Sequence, residues 1–316
     1  MNSVTAPPLR FEVIPEDLSA YRRGNIGIDY VHRFDSGKAG PHVLINVLTH
    51  GNEVCGARAA THLLDQQVRP RIGTLTVCFA NVAAHDTFDR EQPFASRLLV
   101  HNLNRIWTRD LLEGAEQSPE LLRARELRPV LEAADHVLDL HSTQIDVQPF
   151  WIYSQFERNC VATLAIASPS LHLMLPQGMG LGAGTPLIQW GHHGSLQGRG
   201  VALIAECGQH FLQATTDRAI RITRAFLAGF GLIEPDVDTP PPPPQRRLVL
   251  ERSHIVRTPE YRLVGPLLGF EVFQEGELIA TDGDEEIRAP FDDCTVVMPI
   301  RNGVVGREGL YLARTV

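Results

Sequence analysis

Short apolar runs alternate with longer segments of helical periodicity over the first three quarters of the chain. Residues 42–48 (HVLINVL), 73–80 (GTLTVCFA), 136–140 (HVLDL), 149–153 and 200–205 (GVALIA) read as buried strands, rich in β-branched residues and too short for helices. Between them, 53–67 carries Ala57, Ala60, Leu63 and Leu64 at helical spacing, and 159–167 and 215–230 are also helical in pattern. Ser118-Pro119-Glu120 opens a further helix to about 134, with serine as the cap and proline in the first helical position. Strands alternating with helices predict an α/β fold, a mainly parallel sheet with helices on both faces.

The alternation stops at residues 240–244, five consecutive prolines that can be neither helix nor central strand. Beyond them only short β-like runs remain, at 248–250, 278–281, 295–298 and 310–313, separated by glycine turns. The expected organisation is an α/β domain over 1–235, a Pro-rich linker over 236–245 and a small all-β domain over 246–316. Segments 276–280 and 287–291 resemble the hairpins of barrel-sandwich, lipoyl-like domains, but 246–316 contains no lysine to carry a lipoyl or biotinyl group.

Composition narrows the function. The chain is 43% hydrophobic and 21% charged, and no segment approaches the ~20 uninterrupted apolar residues of a membrane span. The first residues lack the basic start and apolar core of a secretory signal. Five cysteines are scattered without a Cys-x-x-Cys pair, as expected of reduced thiols in the cytoplasm. The net charge of −8 argues against nucleic-acid partners, so affinity for an anion must come from local arginines. Lys38 is the sole lysine, which all but excludes Schiff-base chemistry. An alternative reading makes 246–316 an interaction module that mediates homo-oligomer formation.

Two motifs carry chemistry: His50-Gly51-Asn52-Glu53 and Asp139-Leu140-His141-Ser142-Thr143, each at the carboxyl end of a predicted strand. In open α/β sheets that end builds the site. His50, Glu53 and His141 match the ligand set of a catalytic zinc centre, three protein ligands with one position open. A helix starting near His50 would put it and Glu53 on one face, with Gly51 permitting a tight turn. Asp139 is suited to orient an imidazole. Glu206 ends the run 201–205, where partial desolvation favours general acid/base work. Arg97, Asn104 and Arg105 offer a carboxylate-binding group, and Arg199 a weaker one. His192-His193 reads as a flexible loop near the pocket, and His62, His85 and His172 as packing or surface residues.

On these residues the chain resembles the succinylglutamate desuccinylase/aspartoacylase family, relatives of the zinc carboxypeptidases. His50-Gly51-Asn52-Glu53 matches the family's H-G-x-E, Asp139-Leu140-His141-Ser142-Thr143 its D-x-H-S/N-T, Asn102-Leu103-Asn104-Arg105 its D-L-N-R, and Glu206-Cys207-Gly208 its E-x-G. The resemblance implies a metallocarboxypeptidase-like α/β domain followed by a small β domain. It implies one Zn2+ per chain on His50, Glu53 and His141, and Glu206 as the catalytic glutamate. Asn104 and Arg105 would bind the substrate carboxylate, and Arg97 would polarise the scissile carbonyl. Asn102 stands where the family has Asp, and Trp107 where Phe is common. The aromatic hydroxyl that some members contribute from the β domain is assigned to neither Tyr261 nor Tyr311. The expected activity is zinc-dependent deacylation of a small N-acyl amino acid. A carboxypeptidase-like metallopeptidase and a catalytically silent zinc- or ligand-binding protein are the alternatives.

Overall fold

The apolar runs become the interior of one large sheet. The computed structural model describes residues 9–182, 184–236 and 243–316, so most of the expected Pro-rich linker, 237–242, lies outside the described residues. In chain order the first part comprises β1 (Val31–Asp35), β2 (His42–Val47), α1 (Val54–Asp65), β3 (Thr74–Phe79), α2 (Val82–His85), α3 (Arg109–Leu112), α4 (Pro119–Ala133), β4 (His136–Thr143), β5 (Phe150–Ser154), α5 (Glu157–Ile166), β6 (Leu171–Leu175), β7 (Val201–Gln209) and α6 (Gln213–Gly229). Ser118 caps α4 as expected, its hydroxyl accepting from the Leu121 amide at 3.4 Å, with Pro119 opening the helix.

The central strands are hydrogen-bonded in the order β1-β3-β2-β4-β7-β5-β6. The pairs β2–β3, β2–β4, β4–β7 and β5–β6 are parallel, whereas β1–β3 and β5–β7 are antiparallel. The sheet is therefore mixed but mainly parallel in this part. Successive strand residues point to opposite faces. Leu44, Val137, Ala202 and Ile204 pack with Leu121, Ala124, Leu127 and Leu131 of α4. Ile45, Leu138, Leu140, Leu203 and Ala205 pack on the other side with Ala57, Ala60 and Leu63 of α1 and Ile222 and Phe226 of α6. Both faces are thus covered by helices.

The C-terminal strands are β8 (Arg246–Ile255), β9 (Arg262–Leu263), β10 (Val272–Phe273), β11 (Leu278–Asp282), β12 (Glu285–Arg288), β13 (Cys294–Val297) and β14 (Glu308–Thr315). β8 pairs in parallel with β6, and β14, β13 and β10 follow, making an 11-stranded sheet. β12, β11 and β9 form a separate three-stranded antiparallel sheet, with β11 and β12 as the hairpin foreseen from 276–291. Among the described residues no helix is long and apolar enough to cross a membrane.

Candidate metal centre

Parallel register assembles the site from three neighbouring strands. Asn46 of β2 lies opposite Asp139 of β4, and His141 of β4 lies opposite Glu206 of β7. Asn46, His141 and Glu206 lie in the carboxyl halves of their strands, with Asp139 in the middle of β4, and beyond β2 the chain turns through His50 before α1 begins.

His50, Glu53 and His141 converge. One ligand atom from each lies within 4.8 Å of the others, and all three residues are buried. His50 Nδ1 is 2.8 Å from Glu53 Oε1, and His141 Nδ1 is 2.8 Å from Glu53 Oε2. The His50–Glu53 pair does not sit on a helical face as the sequence suggested. It belongs to a turn closed by the Glu53 amide donating to the His50 carbonyl at 3.1 Å. Glu53 occupies the N-cap position of α1 yet makes no capping hydrogen bond, because its carboxylate is turned to the two imidazoles. Gly51 is required by close approach: a Cβ there would lie 2.4 Å from both the His85 amide nitrogen and the Ser96 carbonyl oxygen. His85 also binds the Gly51 carbonyl through Nδ1 at 2.9 Å and so steadies this turn.

The outer ring nitrogens fix the tautomers. His141 Nε2 is 2.8 Å from Asp139 Oδ2, and the other oxygen of Asp139 accepts from Asn46 and Thr49 at 2.8 and 2.7 Å. His50 Nε2 is 2.9 Å from Asn102 Oδ1, which also accepts from the Asn104 amide at 2.8 Å. Both outer partners are acceptors, so each Nε2 carries the hydrogen and each Nδ1 presents a lone pair inward. Two lone pairs each 2.8 Å from a buried carboxylate oxygen require a positive charge among them. The donor set, the burial and the outward-tied imidazoles fit a divalent cation such as zinc.

The protonation pattern is consistent with that requirement. Burial pushes the His141 imidazole down, but Asp139 and Glu53 together outweigh it and hold it well above its usual range. Burial and Arg97 push His50 down to about 4. Burial raises Glu53, yet the two imidazoles overcome that and hold its carboxyl well below the usual range. In the metal-free chain a proton on His141 therefore supplies the cation. Replacing Asn102 by alanine frees the His50 ring, and metal affinity should fall by about 10–100-fold. Competition against a chromophoric chelator measures this, and unchanged affinity would contradict the orienting role.

Glu206 faces this cluster from β7. Burial pushes its carboxyl up to about 8, with His141 and Arg97 opposing and Glu53 adding to the rise. Its Oε2 is buried without a hydrogen-bond partner among the described residues. It does not cap α6, whose N-cap residue is Leu212. Arg97 ends a 3-10 turn, its carbonyl accepts from the Gly51 amide at 3.1 Å, and its Nη1 donates to Glu53 Oε1 at 3.1 Å. The loop after it is held by the fully buried Glu120, whose carboxylate accepts from the amides of Leu99, Val100 and His101 at 2.6, 3.2 and 3.2 Å.

Asn104 and Arg105 lie on the loop whose Asn102 orients His50. Asn104 Oδ1 accepts from the Leu187 amide at 3.0 Å, lacing this loop to the one before β7. Arg105 donates from Nε to Glu308 at 3.0 Å and from Nη1 to the Asn104 carbonyl at 2.8 Å. Tyr311 of β14 is buried, and its hydroxyl meets the Arg105 guanidinium, which offsets part of the rise that burial imposes on it. Tyr261 donates to the Gly309 carbonyl within the C-terminal core instead.

Two expectations are corrected. Arg199 is exposed and precedes β7, whose first residue, Val201, lies about 17 Å from Glu206 at ~3.3 Å per residue, so Arg199 sits toward the opposite end of that strand from the site. His192-His193 is not beside the site either. His192 contacts the Ala134 carbonyl and His193 is buried against Leu131, at the end of α4 remote from the metal ligands.

His210 escaped the sequence reading. It is buried one residue past β7, its Nδ1 2.7 Å from Ser142 Oγ and its Nε2 without a hydrogen-bond partner among the described residues. Burial pushes it down to about 3, and the charges of Glu53, Arg97, His50 and His141 act on it, so it is a neutral imidazole beside the cluster. Its signal was its place, four residues after Glu206 at the same strand end.

The catalytic-domain profile of the succinylglutamate desuccinylase/aspartoacylase family matches residues 39–178, a span that includes all three convergent ligands and the Asn102–Arg105 loop. No curated protein sequence matches the chain. Among solved structures, succinylglutamate desuccinylase from Vibrio cholerae is similar at 17% identity and a TM-score of 0.69, over 92% of this chain and 86% of that one. The enzyme of the same name from Chromobacterium violaceum is similar at 18% identity and a TM-score of 0.66, over 92% and 89%. A product-bound ectoine utilization protein, EutE (DoeB), from Ruegeria pomeroyi is similar at 17% identity and a TM-score of 0.64, over 93% of each chain. At these identities the structures speak to the fold, which they share with this chain along nearly its whole length. Over the matched segment, residues 39–178, the chain is similar to the catalytic domain of the succinylglutamate desuccinylase/aspartoacylase family.

Proposed function

We propose that the protein is a zinc-dependent deacylase that cleaves the amide bond of a small N-acyl amino acid. The single observation that carries this reading is the convergence of two imidazole Nδ1 atoms and one carboxylate beneath a separate, raised carboxyl group. His50, Glu53 and His141 would hold the ion, with Asp139 and Asn102 fixing the two rings. When bound, zinc supplies a Lewis acid and brings the pKa of water to about 7.

Glu206 would take a proton from the attacking water and deliver it to the departing amine nitrogen, and its raised pKa would suit both transfers near neutral pH. Arg97, 28% exposed beside Glu53, would stabilise negative charge developing on the acyl oxygen. Arg105 would take the substrate's carboxylate through the nitrogens that its internal bonds leave available. Tyr311 adds a hydroxyl to that subsite. The similar structures include succinylglutamate desuccinylases and an ectoine utilization protein, which supports small-molecule substrates.

The test is a panel of N-acyl amino acids offered to protein of known metal content. Amine release should require a stoichiometric divalent ion, stop with a chelator and return with zinc. Metal-independent release, or release only from peptides, would overturn the reading.

A further inference from the structure

We propose that Glu308, brought by the C-terminal strand β14 to Arg105, makes the site selective for amino acids that carry a cationic ammonium group near the carboxylate, and against those carrying a second carboxylate. This rests on the deacylase reading for the chemistry, but its recognition element is separate from the metal centre. Arg105 and Glu308 are 203 residues apart in sequence and joined at 3.0 Å, with side chains only 14% and 21% exposed.

Several features seat this carboxylate. A Cβ at Gly182 would fall 2.1 Å from Glu308 Oε1, so glycine there leaves the space the carboxylate fills. The Arg105 fork is held by its own bond to the Asn104 carbonyl, and the Tyr311 hydroxyl, three residues along β14, meets the same guanidinium. The Nε edge of Arg105 is therefore occupied and its positive charge is already matched.

The subsite consequently presents both signs side by side. A ligand carboxylate that takes the terminal nitrogens of Arg105 must lie close to the Glu308 carboxylate. A second carboxylate on the ligand would meet like charge in a half-buried place, whereas an ammonium would find a partner. The complementary ligand is an amphoteric amino acid. Its ammonium can be a side-chain amine, with the acyl group on the α-nitrogen, or the α-amine, with the acyl group on the side chain.

The experiment compares Nα-acetylornithine, Nδ-acetylornithine, Nα-acetylglutamate and the neutral Nα-acetylnorvaline as substrates for zinc-loaded wild type and Glu308→Gln. In parallel, calorimetry measures binding of ornithine and glutamate, which needs no turnover. We expect wild type to favour an ornithine derivative over the glutamate one by about tenfold or more in kcat/KM, and ornithine over glutamate in binding. Glu308→Gln should erase that preference, lowering the ornithine derivative and raising the glutamate one relative to acetylnorvaline. Which acetylornithine is cleaved identifies the acylated nitrogen. Preference for glutamate, binding of neither amino acid, or an equal loss for all ligands in Glu308→Gln would overturn the proposal, the last marking the pair as a structural clamp. Charge-dependent ornithine binding without any amide cleavage would uphold the selectivity and remove the deacylase reading instead. Should Glu308→Gln fail to fold, the wild-type binding preference decides.

Discussion

Glu206→Gln is expected to keep its metal and lose about 10^2–10^4-fold in kcat, the range of a positioned general acid/base. Glutamine preserves shape and hydrogen bonding but cannot carry a proton between the attacking water and the leaving nitrogen. The substitution touches none of the three convergent ligands, so metal content should match wild type. It also has a thermodynamic signature in chelator-treated protein. In the folded chain burial pushes this carboxyl up to about 8, against its ordinary 4.5. Between those values the unfolded chain has released the proton and the folded one still holds it, so rising pH favours unfolding. The slope is at most about 1.4 kcal/mol per pH unit and is lost above the folded value. The stability advantage of Glu206→Gln should thus widen from pH 5 to pH 8 and then level off. Full turnover in the variant, or a pH-independent difference in urea unfolding, would contradict the assignment.

The second large effect concerns His141. Its replacement by alanine should abolish stoichiometric metal binding and, separately, destabilise the metal-free chain by about 3–5 kcal/mol, as expected when a buried charge loses its partner. The reason is local: His141 lies between Glu53 and Asp139 at 2.8 Å from each, and both carboxylates are buried. Without the imidazole they face each other's charge with no cation between them, since Arg97 reaches Glu53 only at its other oxygen. His50→Ala offers the control. It should also lose the metal but cost the metal-free chain less, because burial and Arg97 keep His50 uncharged. Metal analysis and urea denaturation with a chelator separate the two effects. Retention of one zinc per chain in His141→Ala would sink the proposed ligand set.

Much of this was legible in sequence for a physical reason. Buried parallel strands are short unbroken apolar runs, and their carboxyl ends advertise a site when His, Glu or Asp follows at once, as at His50, His141 and Glu206. The edge strand β1 was missed because its sequence, VHRFD, is mostly half-exposed and has no clean period. β6, LHLML, is buried throughout but too short to separate from a helix turn. The turn around Gly51 was legible as tight, though its cause, the backbone of Ala84, His85 and Ser96 pressing on it, belongs to tertiary packing. Arg199 was misplaced because nearness in sequence to Glu206 is lost along an extended strand. Glu308 and Tyr311 could not be paired with Arg105 by any local pattern, since the partner comes from the far end of the chain.

The parallel pairing of β8 with β6 has a consequence for how the molecule can be divided. A chain ended at the proline run would leave Leu171–Leu175 as a naked border, five residues of unpaired amides and carbonyls flanked by apolar side chains. Such a border is a template for strand addition from other molecules. The fragment holding the metal ligands would therefore be adhesive rather than autonomous, and what looks from the proline run like an appendage serves as the selvedge of the catalytic fabric.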